Sequence, residues 1–236
     1  MVMAQSLFMT LKSIHPNVTI DVLAPTWSLP LLARMPEVNE AIEVPVGHGQ
    51  FGFFKRLNIG LGLRQKGYTQ AIILPRSFKS ALIPFFARIP MRTGYRGEMR
   101  YGLVNDIRHL DKSVLTQTVQ RYVALGLRHN VVAAPHVLYP KLRVDKGVQG
   151  ELLLKFKLSA DKPLICMMPG AEYGPAKQWP VEKFTELAER LSEEGKQVCV
   201  VGSAKESVLG EQISGTRPEQ IKNLCGQTSL VEAVDL

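Results

Sequence analysis

Three stretches of this 236-residue chain combine residue types and spacings that suit an anion. The first is Met168-Pro169-Gly170-Ala171-Glu172-Tyr173-Gly174-Pro175-Ala176-Lys177-Gln178-Trp179-Pro180. It leads from an apolar segment through a two-glycine loop into a helix whose expected first residue is Pro180. Glycine lets a backbone approach a ligand closely, a helix N-terminus offers unpaired N–H groups, and Lys177 adds a mobile cation. Phosphate or a nucleotide diphosphate suits such a loop, but a plain strand-to-helix connection uses the same turn residues, and the pattern leaves both readings open. Neither a P-loop nor a G-x-G-x-x-G after a strand is present, so a dinucleotide cofactor has weak support.

The second stretch, Val201-Gly202-Ser203-Ala204-Lys205-Glu206, places Glu206 in a first helical turn. Helix stabilisation through the dipole is the simpler reading, and a hydrogen bond to a ribose or base the sharper one. The third is basic: Arg76, Lys79, Arg88, Arg92, Arg96, Arg100 and Arg108 face only Glu98 and Asp106. Gly94, Gly97 and Gly102 put several of these arginines on loops, and their guanidinium forks match phosphates and carboxylates. Tyr95 and Tyr101 interleave with them as base-stacking residues would, yet no helix-turn-helix, OB or RRM signature accompanies them, so nucleic acid is not the expected partner. His48, His109 and His129 have no carboxylate or cysteine at triad or ligand spacing and read as surface histidines.

Strands alternating with helices would position these residues. Helical spacing of Met3, Leu7, Leu11 and Ile14 predicts an opening helix closed by Pro16. Strands are predicted at 18–23, 41–44, 71–74 and 92–94, and helices at 29–35, 53–65, 78–87 (interrupted by Pro84) and 115–125. The stretch 129–145 carries two prolines and reads as a linker. Beyond it the pattern resumes with strands at 164–168, 197–201 and 221–224 and helices at 180–192 and 205–213. Two α/β domains in series with parallel sheets follow, with ligands expected outside the strands' carboxyl ends. The chain opens in mid-helix without a cap, and Ser229 to Glu232 has the spacing of a capping box for a helix barely begun at Leu236. Both ends therefore read as cut, and the chain as a fragment.

Composition sets the outer limits. A hydrophobic share of 45% with 21% charged residues excludes a disordered chain. The net charge of +8, most of it from the basic stretch, favours anionic partners. Cys166, Cys199 and Cys225 form no C-x-x-C pair, which argues against zinc or disulfides, and Cys166 and Cys199 read as core residues. No apolar run approaches the length needed to span a bilayer and residues 1–14 do not resemble a signal peptide, so a cytoplasmic protein is expected.

Taken together, 34–41, 74–81, 92–101 and 169–180 resemble the ADP-heptose:lipopolysaccharide heptosyltransferases, and the resemblance runs through essentially the whole chain. It implies a GT-B architecture of two facing Rossmann-like domains, 1–145 for the acceptor and 146–236 for the ADP-sugar. It also implies inverting transfer of heptose from ADP-heptose to the first heptose of the lipopolysaccharide inner core, at the inner face of the inner membrane, without a metal. Gly170, Ala171 and Glu172 would line the pyrophosphate, Lys177 contact the donor phosphates, Glu206 the nucleoside, and Thr228 lie near the adenosine. Ser77, Lys79, Arg96 and Arg100 would contact the phosphorylated acceptor. The family's general-base aspartate, in a Gly-Asp pair, is expected upstream of Met1, and its Asp-Ser/Thr-Gly-x-x-His loop after Leu236. On that expectation the first domain lacks its opening strand, the second is incomplete, and the chain as given lacks turnover. A related transferase with another donor or acceptor, or a non-catalytic anion-binding remnant, remains open at this stage.

Overall fold

The alternation of apolar strands and amphipathic helices produces eight short strands and nine α-helices among the described residues of the computed structural model. Those residues are 1–47, 49–127, 131–171, 175–215 and 217–236. They form two compact units, Met1–Arg143 and Val144–Leu236.

Unit 1 opens with α1 (Gln5–Ile14), which buries Leu7 and Phe8 and ends before Pro16. Its buried polar Gln5 is satisfied, donating to Glu37 Oε2 at 3.0 Å and Lys141 O at 2.9 Å and accepting from Lys141 N at 3.0 Å. β1 (Asp21–Ala24), α2 (Leu29–Leu32) and β2 (Glu40–Glu43) follow, β1 pairing with β2 in parallel from Asp21 opposite Glu40. α3 (Phe53–Leu63) leads to β3 (Gln70–Ile73), α4 (Leu82–Phe86), β4 (Met91–Tyr95), β5 (Asp106–Arg108) and α5 (Thr118–Leu125). β3, β4 and β5 form a second parallel sheet in that order.

Several sequence expectations shift here. The predicted strand 18–23 pairs only from Asp21, because Val18 N closes a turn onto His15 O. The break expected at Pro84 falls earlier, between a 3₁₀ turn at Phe78–Ala81 and α4. Pro84 then sits in the first turn of α4, where its missing N–H has no intrahelical partner to lose. α5 starts at Thr118 rather than 115, because Gln117 and Gln120 form a reciprocal capping box. β5 has no apolar run to announce it and is held by the ladder and by Thr93 Oγ1 donating to Asp106 Oδ2 at 2.8 Å.

Unit 2 comprises α6 (Lys146–Lys155), β6 (Leu164–Met167), α7 (Val181–Glu193), β7 (Gln197–Val200), α8 (Ser207–Ser214), β8 (Ile221–Asn223) and α9 (Glu232–Asp235). Its parallel sheet runs β6-β7-β8. One face packs Val198, Val200 and Ile221 against Ala188 of α7 and Ile213 of α8. The other packs Cys199, Val201 and Leu224 against Leu152 and Phe156 from and after α6. The fold class is thus α/β with parallel sheets, doubly wound in unit 2.

α6 contains two glycines and escaped the periodicity reading. Its marker is Asp145, whose side chain accepts from the N–H groups of Gly147 and Val148. Pro180 is the residue before α7 rather than its first residue: its ψ of 139° is extended, and its carbonyl accepts from Lys183 N at 3.0 Å. Cys199 is fully buried, and burial pushes its thiol up to about 12. Cys166, expected in the core, is exposed, because it lies on β6 at the open edge of the sheet.

Two glycines of α3 have opposite surroundings. A Cβ at Gly60 would lie 2.6 Å from Phe86 Cβ and 2.8 Å from Ile83 O of α4, whereas nothing stands within 4 Å at Gly62. Gly60→Ala should cost about 1–3 kcal/mol through overpacking. Gly62→Ala should stabilise by about 0.5–1 kcal/mol through helix propensity. Urea unfolding of the two variants checks the opposite signs, and equal effects would contradict the close α3–α4 packing.

Candidate functional sites at the carboxyl ends of the strands

In unit 2 the loops leaving β6, β7 and β8 carry the residues singled out in the sequence. Gly170 follows β6, and a Cβ there would lie 2.9 Å from Glu206 Cγ and 3.1 Å from Glu206 Oε1. Gly202 follows β7, and its Cβ would lie 3.2 Å from Glu206 Oε2. The Glu206 side chain therefore rests on two bare stretches of backbone. Its Oε2 accepts from Ser203 N at 2.7 Å and Ser203 Oγ at 2.5 Å, which completes a capping box at the start of the helical segment. Gly226 N donates to Gly202 O at 2.8 Å and draws the loop after β8 onto the same edge. Thr228, half-buried, lies two residues further along that loop.

Lys177 ends a 3₁₀ turn (Pro175–Lys177) shortly before α7 and is exposed. The approach to α7 is fixed by Trp179, packed edge-on against Phe184 with ring centroids 5.0 Å apart. These residues flank the helix start as a hydrophobic staple does. Ala171 is half-buried in the same loop. Glu172, His48 and His129 lie outside the described residues. The structure thus brings Gly170 and Glu206 into contact and places Thr228 on the same sheet edge.

In unit 1 a cavity of about 550 Å³ is lined by Arg76, Ser77, Arg96, Gly97, Glu98, His109 and Leu110. Arg76 follows β3, Arg96 follows β4 and His109 follows β5, so the cavity lies at the carboxyl edge of that sheet. Arg76 Nε donates to Arg96 O at 3.2 Å, and Glu98 Oε2 accepts from Phe78 N at 2.8 Å, which joins the loops after β3 and β4. Gly97 has no room for a side chain, since a Cβ would fall 2.2 Å from Arg76 O. Arg96 is exposed, with Nε donating to Tyr101 Oη at 3.2 Å. Lys79 is half-buried, and its Nζ donates to Gln50 O at 3.4 Å, away from the cavity lining.

Arg100 does not belong with the exposed arginines. It is 2% exposed, donating from NH1 to Pro75 O at 2.7 Å and Ser80 Oγ at 3.2 Å, and from NH2 to Tyr95 O at 2.5 Å. Burial and then the Arg76 charge hold its pKa below the usual range. An acceptor cannot reach a guanidinium already enclosed by its own loops, and Arg100 is a scaffold for them. The cavity wall also takes His109, read from the sequence as a surface histidine, Glu98, read as a lone acid among the arginines, and Leu110, which the sequence reading did not single out. For His109 and Leu110 the signal was their place after β5, a strand with no apolar pattern.

Comparison with known proteins settles the family. The model of Glycosyltransferase family 9 (heptosyltransferase) matches residues 56–236. The chain belongs to glycosyltransferase family 9. It is 50% identical, over its whole length and 70% of the relative's, to lipopolysaccharide heptosyltransferase 2 of Salmonella typhimurium. With lipopolysaccharide heptosyltransferase 2 of Escherichia coli the identity is 49% over the same shares. The solved structure of E. coli ADP-heptose LPS heptosyltransferase II superposes with a TM-score of 0.85 at 46% identity, covering 100% of this chain and 72% of that one. A family 9 glycosyltransferase from Veillonella parvula superposes with a TM-score of 0.83 at 15% identity, covering 99% and 68%, a likeness of fold alone. The fold is accordingly the GT-B type of this family. Among the described residues, no helix of this family 9 chain is long and apolar enough to cross a membrane.

The contrast between Arg100 and Arg96 is testable by stability. Arg100→Met should remove the donors to the Pro75 and Tyr95 carbonyls, leaving Pro75 O only the Ser80 hydroxyl, and cost about 2–4 kcal/mol, while exposed Arg96→Met should change stability by less than about 0.5 kcal/mol. Thermal unfolding of both variants checks this, and an Arg100 variant as stable as the parent would return Arg100 to the candidate ligands.

Proposed function

We propose that the chain carries the donor and acceptor sites of a heptosyltransferase that moves heptose from ADP-heptose to the first heptose of the lipopolysaccharide inner core, with inversion. The observation that carries the reading is the 50% identity to a lipopolysaccharide heptosyltransferase 2 across the whole chain. The site geometry supports it, because each unit presents polar loops at the carboxyl edge of a parallel sheet, where such folds take ligands.

Unit 2 takes the donor in this reading. The Gly170–Glu172 backbone lines the pyrophosphate, Lys177 and the start of α7 offset its charge, and Glu206 with Thr228 faces the nucleoside. Close backbone approach and an N-terminal dipole favour a diphosphate without side-chain bulk. Unit 1 takes the acceptor at the cavity walled by Arg76, Ser77 and Arg96, whose guanidinium forks match phosphate and carboxylate groups. Lys79 adds charge beside that site, and Arg100 holds the loops that form it.

Calorimetry with ADP tests the donor half. ADP should bind the parent chain, and Lys177→Ala should weaken it by about tenfold to a hundredfold, the worth of one hydrogen bond to a charged group. Equal affinity for UDP, or no effect of the substitution, would overturn the assignment. EDTA should leave ADP affinity unchanged, since Lys177 and the helix start supply the positive charge; loss of binding on chelation would show that a metal carries it.

The acceptor half is read by titrating lipopolysaccharide core that bears one heptose. Arg96→Ala should weaken binding by about tenfold or more. Unchanged affinity would remove Arg96 from the site. Product analysis by NMR, with ADP-heptose and that acceptor, reads turnover and inversion together: the chain as given should release no transferred heptose, and a product with the donor's anomeric configuration would exclude inversion.

A further inference from the structure

Between Glu43 and Glu98 the chain has no acidic residue and nine Lys and Arg, and six of its nine phenylalanines fall in the same span. The fold gathers those six rings into one connected cluster. Phe51 stacks with Phe53 and Phe78 at centroid distances of 6.3 and 6.5 Å. Phe53 meets Phe54 and Phe86 edge-on, each at 5.6 Å, and Phe86 meets Phe85 at 5.7 Å. Rings this well associated normally close a core, yet Phe54 is 76% exposed and Phe51 50% exposed. Phe53, Phe78 and Phe85 are exposed as well. Contiguous exposed apolar surface of this kind marks a site of interaction.

Charge selects the partner. Lys55 follows Phe54 on α3, and Lys79 Nζ reaches Gln50 O beside Phe51. Arg64 Nε donates to Phe86 O at 2.8 Å, and the Arg92 guanidinium carbon lies 5.8 Å from the Phe85 ring centroid. A protein partner would meet an aromatic centre with a rim of mixed charge. This face instead presents aromatics with an excess of cations, Glu98 being held on Phe78 N at 2.8 Å, the combination that enters the headgroup–acyl boundary of an anionic membrane.

We propose that this face of unit 1 docks on the surface of an anionic phospholipid bilayer, its exposed phenylalanines inserted at the interface and its cations on the lipid phosphates. The inference rests on the reading above in one respect, that a glycolipid acceptor belongs at a membrane. Ser77 of the cavity wall directly precedes Phe78 of the cluster, so the sugar-binding loops and the membrane face adjoin.

The test is flotation of the 236-residue chain with vesicles of 3:1 phosphatidylethanolamine and phosphatidylglycerol, and with phosphatidylcholine vesicles as control. No donor or acceptor sugar is present, so failure here leaves the transferase reading standing, and failure of that reading leaves the docking result intact. The parent chain should float with the anionic vesicles and be released by salt. The pair Phe51→Ser with Phe54→Ser should reduce partitioning by about tenfold or more, as loss of inserted apolar area predicts. Lys55→Glu should reduce it by about fivefold or more. Because Phe54 is so exposed, the single Phe54→Ser variant, with unfolding checked by melting, serves if the pair does not fold. No flotation of the parent, equal flotation on phosphatidylcholine, or unchanged flotation of the variants would overturn the proposal. So would a parent dimer that the serine variants dissociate without altering vesicle binding, which would make the face a contact between copies of the chain.

Discussion

A strand can pair in parallel with the next only after the chain has crossed back over the sheet. Every loop leaving a strand's carboxyl end therefore gathers on one edge, and this constraint shapes both units. In unit 1 it assembles Arg76, Arg96 and His109, each following a different strand and together spanning more than thirty residues of sequence. In unit 2 it brings together Gly170, Gly202 and Gly226, with Glu206 lodged against the first two. The crossover helices cover the faces, leaving the carboxyl edge as the place where polar backbone can meet a ligand. Nothing in local sequence spacing would have joined these residues. The sheet does so by repetition of a single strand direction.

Within that frame, desolvation sorts the arginines. The segment from Thr93 to Tyr101 contains two, four residues apart, and they have opposite fates. Arg96 lies in the loop beyond β4 and stays in solvent. Arg100 folds back over Gly94, where a Cβ would lie 3.0 Å from its NH2, and finds carbonyl acceptors at Pro75, in the loop after β3, and at Tyr95, the last residue of β4. A buried guanidinium is tolerable only with such partners, and Arg presents its donors in a fixed fork that can bridge several carbonyls at once. Composition counts both residues alike as positive charge. Only their packing separates the one that frames the site from the one that lines it.

Long apolar segments made most of the architecture legible. α1, α3, α7 and the strands β6 and β7 stand close to their predicted places, because each has an apolar face that only one period explains. What escaped was held by other forces. β5 is three residues long and rests on ladder bonds and the Thr93–Asp106 contact, while α6 is announced by a capping aspartate instead of a stripe. Cys166 was misplaced because its apolar neighbours report the strand and say nothing of whether that strand lies at an edge. The loop between β6 and α7 was legible as glycines, lysine and proline. The unit 1 cavity was legible mainly in its charge, and His109 and Leu110 of its wall follow a strand with no hydrophobic signature.

Glu206 shows why two readings of one residue need not compete. Sequence logic sets helix stabilisation against ligand recognition, as though one carboxylate must choose. In the fold, the capping box occupies Oε2 with Ser203 and holds the first turn in place. Its geometry also carries the side chain across to Gly170, so that Oε1 sits at the backbone of the loop leaving β6. A side chain tied at one oxygen loses rotamer freedom before any ligand arrives, and ordering it then costs less on binding. The cap is therefore what would make the carboxylate useful to a ligand. Glycine at positions 170 and 202 is the complementary condition, because a Cβ at either position would crowd the side chain that the cap has fixed.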